Sequence, residues 1–196
     1  MISLSIPESI IPIDDNLFLE ICRKNPDNRI ERTGKGEILL MAPTGGETGK
    51  FNANIIGIFY IWNKLQKRGK IFDSSTAFRL PSSAIRSPDL AFITLARWNS
   101  LNQSEREGFP PICPDFVLEL RSKTDKLADL QSKMSEWIEA GCRLGWLLDL
   151  ENLKFYIYKP NSEVQILEGK NVVLDGENVL LDFSLSMDEL LSSQEV

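Results

Sequence analysis

The chain has 196 residues, 42% of them hydrophobic, a formal net charge of −6 and no histidine. That length buries one substantial core and is short for two, so residues 1–196 are expected to form a single domain. Without an imidazole, Ser-His-Asp and Cys-His triads and HExxH zinc sites are excluded together, and any enzyme reading rests on Asp, Glu, Lys and Tyr.

The opening Met1-Ile2-Ser3-Leu4-Ser5-Ile6-Pro7-Glu8 lacks the basic start, long apolar middle and small-residue cleavage site of a secretory signal. No apolar run approaches the roughly 18 residues of a membrane span, so a cytoplasmic protein with no membrane partner is expected. Leu17, Phe18, Ile21 and Cys22 share a face at helical spacing and predict a helix over 15–24, stopped by Asn25-Pro26. Glu37 to Met41 reads as a strand before the turn-rich Pro43-Thr44-Gly45-Gly46. From Glu47 to Arg68, the recurrence of Phe51, Ile55, Ile58, Phe59, Trp62 and Leu65 predicts a long core helix with Gly69 as its C-terminal cap. Strands are predicted over 70–80, 89–94 and 115–121, a polar loop over 99–111 and a helix over 125–141. Segments 146–150, 154–159, 164–167, 171–174 and 179–181 read as strands, and 187–191 as a short terminal helix. The mixture points to an α/β domain.

Cys22, Cys113 and Cys142 form an odd set with no close pair in the sequence, so they read as buried small hydrophobes, not as a disulfide framework or a zinc site. Lys64, Lys67, Arg68 and Lys70 cluster at the end of the long helix, where cations suit the dipole; nucleic-acid contact is the second reading. The acidic balance excludes a non-specific nucleic-acid coat protein, which presents a basic footprint. It does not exclude a nuclease, whose metal-holding acids are part of the count.

Two Pro-Asp steps run into apolar stretches, Ser87-Pro88-Asp89-Leu90-Ala91-Phe92 and Pro114-Asp115-Phe116-Val117-Leu118-Glu119-Leu120-Arg121. In the second, a period of two puts Val117, Glu119 and Arg121 on one face and Phe116, Leu118 and Leu120 on the other. A carboxylate inside so apolar a strand is costly to bury unless it pairs or binds a cation. Paired strand carboxylates, Asp89 and Glu119, therefore suggest a metal; an ion pair of Glu119 with Arg121 or a lysine is the structural alternative. In the following helix Leu127, Leu130, Met134, Trp137 and Ile138 form an apolar stripe, with Lys126 and Lys133 beside its Trp137 edge. Such lysines either reach toward the sheet or snorkel at the rim of the core.

These residues resemble the Uma-two family of restriction-endonuclease-like proteins, within the PD-(D/E)XK nuclease superfamily. The likeness runs from about residue 13 to 185, through Asn25 to Glu31, Gly36 to Pro43, the RSPDLAF and PDFVLELRS segments, Lys133 to Trp137 and GWLLDL. The resemblance implies a restriction endonuclease-like mixed β-sheet flanked by α-helices, with Asp89 as the first metal-binding Asp and Glu119 as the second acidic residue. Arg121 stands where the superfamily's strand lysine would be, and the family supplies a lysine from the next helix, here Lys133. The chain departs from the family in reading Glu47-Thr48-Gly49-Lys50 where a His is common and Trp137 where tyrosine is usual.

On this reading Mg²⁺ or Mn²⁺ is held by Asp89, Glu119 and the backbone carbonyl of Leu120, while Lys133 orients the attacking water or stabilises the pentacovalent state. Glu37, Arg121 and Lys126 are auxiliary candidates. The expected activity is phosphodiester hydrolysis, in DNA, by a chain that the resemblance alone suggests is a homodimer. The alternative is a catalytically inactive module of the nuclease fold that binds DNA or a protein partner.

Overall fold

The structure is a computed structural model and describes residues 2–4 and 13–192; the reading of residues 1–8 as no secretory leader falls largely outside them. Strand β1 (Ile2–Leu4) precedes α1 (Asp15–Lys24), which starts where the Asp14 carboxylate accepts the Leu17 N–H at 2.8 Å. A hairpin of β2 (Arg29–Arg32) and β3 (Ile38–Met41) leads to the 21-residue α2 (Gly46–Gln66). Next come β4 (Gly69–Asp73), β5 (Phe78–Arg79), β6 (Ile85–Arg86), β7 (Leu90–Thr94), and the short helices α3 (Leu95–Asn99) and α4 (Gln103–Glu107). The chain continues through β8 (Phe116–Leu120), α5 (Leu127–Glu139), β9 (Leu144–Asp149), β10 (Lys154–Tyr158) and β11 (Gln165–Glu168). It closes with β12 (Val173–Asp175), β13 (Ser184–Ser186) and α6 (Met187–Ser192).

A six-stranded sheet has the order β11-β10-β9-β8-β7-β4, and a five-stranded sheet the order β1-β3-β2-β6-β5. In the larger sheet β8 and β9 run parallel, joined through α5, while the other pairs are antiparallel, so the sheet is mixed as expected. One face of β8 puts Phe116, Leu118 and Leu120 into a core with Ile55, Phe59 and Trp62 of α2; the other puts Val117 against Leu130, Met134 and Trp137 of α5. The strand is thus buried on both sides, which explains its near-continuous apolar sequence. The smaller sheet packs Ile30, Ile38 and Ile85 against Phe18 of α1.

Several predicted boundaries move. Gly69 does not cap α2: Lys67 takes the left-handed conformation (φ 53°) instead, and Gly69 opens β4, where a Cβ would lie 2.2 Å from the Ile93 carbonyl oxygen and 2.3 Å from the Phe92 ring. Ile58 and Leu65 lie outside the core stripe, 37% and 77% exposed. The 99–111 loop contains α4, held by an Asn102–Glu105 capping box. The predicted strand over 179–181 is a turn, β12 pairing instead with β13. Segment 70–80 splits into β4 and β5, and neither β2 nor β6 was expected. Among the described residues no helix is long and apolar enough to cross a membrane.

Candidate active site

The β7–β8 register pairs Leu90 with Leu118, so one further step sets Asp89 opposite Glu119 on the strand face turned to α5. Asp89 is fixed by its Oδ2, which accepts the Leu120 backbone N–H at 2.8 Å; its Oδ1 faces the Arg29 guanidinium at 3.7 Å. Glu119 is almost fully buried, and its Oε1 accepts the Trp137 indole N–H at 3.2 Å and meets the Lys133 ammonium at 2.9 Å. Both Asp89 and Glu119 line a cleft of about 400 Å³, together with Arg29, Glu47, Lys123 and the turn Pro43 to Gly46.

Lys133 does not snorkel. One turn of α5 separates it from Trp137, and its ammonium sits inside the protein, donating to the Ser87 carbonyl at 2.8 Å and to Glu31 Oε1 at 3.1 Å besides meeting Glu119. All three of its N–H donors therefore have partners. Glu31, from β2 of the smaller sheet, is the residue the sequence reading missed. It is fully buried, accepts the Ser87 N–H at 3.2 Å on Oε1 and pairs through Oε2 with Arg86 at 3.1 Å. Arg86 in turn reaches Glu136 of α5 at 2.5 Å. An ionic chain from Glu136 through Arg86, Glu31 and Lys133 to Glu119 thus ties the two sheets to α5.

The charges in this chain are unequally compensated. Burial pushes the Glu31 carboxyl up, but Lys133, then Arg86 and Arg29, outweigh it and hold the group below the usual carboxylate range. For Lys133, burial disfavours the ammonium, and Glu119 and Glu31 more than restore it, so the lysine stays charged. Glu119 is pushed up to about 7: burial dominates, Lys133 opposes it, and the charges of Asp89 and Glu31 add to it. Its one cation, Lys133, does not offset burial and two acidic neighbours, and the group borders the cleft.

The auxiliary candidates lie elsewhere. Glu37 is exposed in the β2–β3 turn, where its carboxylate accepts the Thr33 hydroxyl at 3.3 Å. Arg121 follows the end of β8, so the strand alternation no longer governs it; it pairs with Asp149 at 2.5 Å. Lys126 is the exposed residue before the first turn of α5 and shares no face with Lys133. Leu120 is among the residues that line the cleft. Cys113 and Cys142 are buried and free; Cys142 lies close enough to Cys113 for their thiols to interact, a proximity invisible in their spacing.

Among the described residues no group of three or more His, Cys, Asp or Glu side chains is arranged to hold a metal. Two carboxylates do fit a hard cation that takes its other ligands from water and substrate phosphate, the usual habit of Mg²⁺. The contacts of Glu119 fall on Oε1 and the short contact of Asp89 on Oδ2, which leaves Glu119 Oε2 and Asp89 Oδ1 for a cation in the cleft. The raised Glu119 carboxyl has the chemistry of an acid short of such a cation.

A mixed sheet between helices, with an acidic pair on adjacent strands and a buried helix lysine beside it, defines a restriction endonuclease-like fold. Over residues 15–188 the chain matches the Uma2 family, described as "Putative restriction endonuclease", and it belongs to that family. Its fold is similar to that of a "putative nuclease belonging to DUF820" from Anabaena variabilis, with 17% identity over 90% of this chain and 96% of that one, and a TM-score of 0.76. No curated protein matches the chain.

Proposed function

We propose that this protein is a metal-dependent endonuclease of the PD-(D/E)XK type that hydrolyses phosphodiester bonds, in DNA, in the cytoplasm. The observation that carries the reading is the undercompensated Glu119 beside Asp89 at the floor of the cleft, with the Lys133 ammonium 2.9 Å away. Asp89, Glu119 and the Leu120 carbonyl would hold Mg²⁺ or Mn²⁺, which when bound supplies Lewis-acid polarisation of the scissile phosphate and its water. Lys133 presents a fixed positive charge 2.9 Å from Glu119 Oε1, where it would orient the attacking water or meet the charge that develops on the phosphate. Glu31 and the Ser87 carbonyl hold the lysine in place throughout. Arg29, whose guanidinium borders the cleft beside Asp89, is placed to meet a non-bridging phosphate oxygen.

The test is cleavage of plasmid and linear DNA by the purified chain in Mg²⁺ or Mn²⁺. The wild type cleaves, chelator abolishes it and Asp89→Asn removes it while leaving the melting temperature in chelator within a degree or two, because asparagine keeps an acceptor for Leu120. A wild type that binds Mn²⁺ but cuts no nucleic acid would leave the inactive DNA- or protein-binding module instead. One observation favours that second reading: every Lys133 donor is already engaged.

A further inference from the structure

Helix α2 carries large apolar side chains on both sides. Ile55, Phe59 and Trp62 enter the core, yet on the outer side Ile58, Tyr60, Ile61 and Leu65 are 37%, 58%, 61% and 77% exposed. A surface helix has an apolar stripe about 100° wide with polar residues opposite; one that is apolar all round belongs in an interior. Along the outer ridge, at steps of four, stand Gly49, Ala53, Gly57, Ile61 and Leu65. The ridge is small in its first half and large in its second. Gly57 lies mid-helix, where glycine is unfavourable relative to alanine, and a Cβ there would meet nothing within 4 Å in this chain. Its own fold does not account for the residue.

We propose that this ridge is a self-association surface, on which a second copy of the chain lays its α2 antiparallel about a two-fold axis at Gly57. Such an axis sets Ile61 of each copy on Ala53 of the other and Leu65 on Gly49, so large side chains fill the places of small ones and the backbones approach closest at Gly57. The charges agree with that register. It brings Lys67 of one copy to Glu47 of the other, whose side chain is 81% exposed, and it opposes the two helix dipoles. Lys64 then faces Lys50 across the axis, a like-charge contact that Glu47, 3.1 Å from Lys50, offsets in part. A partner of another kind would have no reason to match the small half to the large half of the same helix.

The pairing has a geometric consequence. Glu47 and Thr48 border the cleft, so two clefts lie at opposite ends of the helix pair, about 30 Å apart for 21 residues rising 1.5 Å each. Lys67 of the second copy stands at each cleft mouth and adds positive charge to an acidic chain. The proposal stands independently of the nuclease reading.

Sedimentation equilibrium of the full chain should give a dimer with a micromolar or tighter dissociation constant. Ile61→Glu should weaken it by about 100-fold or more, by burying a charge in an apolar contact, with an unchanged circular dichroism melt below the dissociation constant, where single chains are compared and the residue is exposed. Glu47→Lys should weaken it less, and adding Lys67→Glu should restore it. In a Cys22→Ser background, Gly57→Cys should yield a disulfide-linked dimer on mild oxidation and Ala53→Cys should not. A wild type that stays monomeric at its solubility limit overturns the proposal. So does a dimer indifferent to Ile61→Glu, or cross-linking at Ala53→Cys and not at Gly57→Cys.

Discussion

Two buried acids flank the same strand. Asp115 enters β8 and Glu119 lies next to its last residue, and both are almost completely inaccessible. Asp115 accepts the Thr94 N–H at 2.9 Å and faces two guanidiniums, Arg97 at 3.0 Å and Arg143 at 3.5 Å. Glu119 has a single cation, Lys133, which it shares with Glu31, and a second acid, Asp89, beside it. Asp115 borders none of the described cavities, whereas Glu119 borders the cleft. A buried charge that serves the fold is surrounded by its own counter-ions; one that serves chemistry is left short of them on the side from which a cation can enter.

The sharpest way to break that comparison is Lys133→Met. The change keeps most of the aliphatic stem and deletes the charge that Glu31 and Glu119 share. Cleavage should fall by about 100-fold or more, since an electrostatic contact to the transition state is lost. Stability should also fall, by about 3 kcal/mol, because Glu31 is left buried with less positive charge. Denaturant melts and initial rates measure the two separately. A stable variant with intact cleavage would remove Lys133 from both roles.

Glu119→Gln sharpens it through pH. A carboxyl raised from 4.5 to about 7 keeps a proton in the folded chain that the unfolded chain releases, so folding loses stability as pH rises from about 4.5 to about 7. The loss is at most about 3 kcal/mol. Glutamine carries no such penalty and still accepts from Trp137. In chelator, the advantage of the variant over wild type should therefore grow from pH 4 to pH 8. Mn²⁺ should raise the wild-type melting point more as pH passes about 7, and should not raise that of the variant. A pH-independent difference would mean that Glu119 is not short of positive charge.

Asp115→Asn should behave oppositely. It leaves Arg97 and Arg143 without their carboxylate, but both are about two-fifths exposed and turn to water, so the cost is about 1 to 2 kcal/mol. Addition of Mn²⁺ should not alter the shift.

What the sequence made legible follows from burial. The apolar run around Glu119 is long because β8 packs on both faces, so a carboxylate within it stands out, and Asp89 stands out in the same way at the start of β7. Glu31 does not. Its strand is Arg-Ile-Glu-Arg, four residues with three charges, which reads as surface because the partners that neutralise it come from 55 and 102 residues away. Arg86 and Lys133 are recognisable as those partners only once the two sheets meet. The same limit applies to Arg121, whose alternation with Glu119 ends with the strand, and to Ile58 and Leu65, which fit a core stripe by spacing but face outward.

Lys126 tests how far helical spacing alone can be trusted. Its position seven residues before Lys133 places both lysines on one edge of an ideal helix, and on that ground either could serve the site. The helix, however, begins at Leu127, and Lys126 remains extended and exposed. Lys126→Met should therefore change stability by less than about 0.5 kcal/mol and leave the rate at saturating substrate unchanged. A surface cation near the cleft can still attract a phosphate backbone, so KM should rise at low salt, and that rise should vanish as salt screens it. The split is the decisive measurement: a salt-dependent KM with constant kcat assigns Lys126 to encounter. A fall in kcat comparable with that of Lys133→Met would mean that α5 starts earlier and turns both lysines inward, which would dissolve the contrast between a compensated and an uncompensated acid.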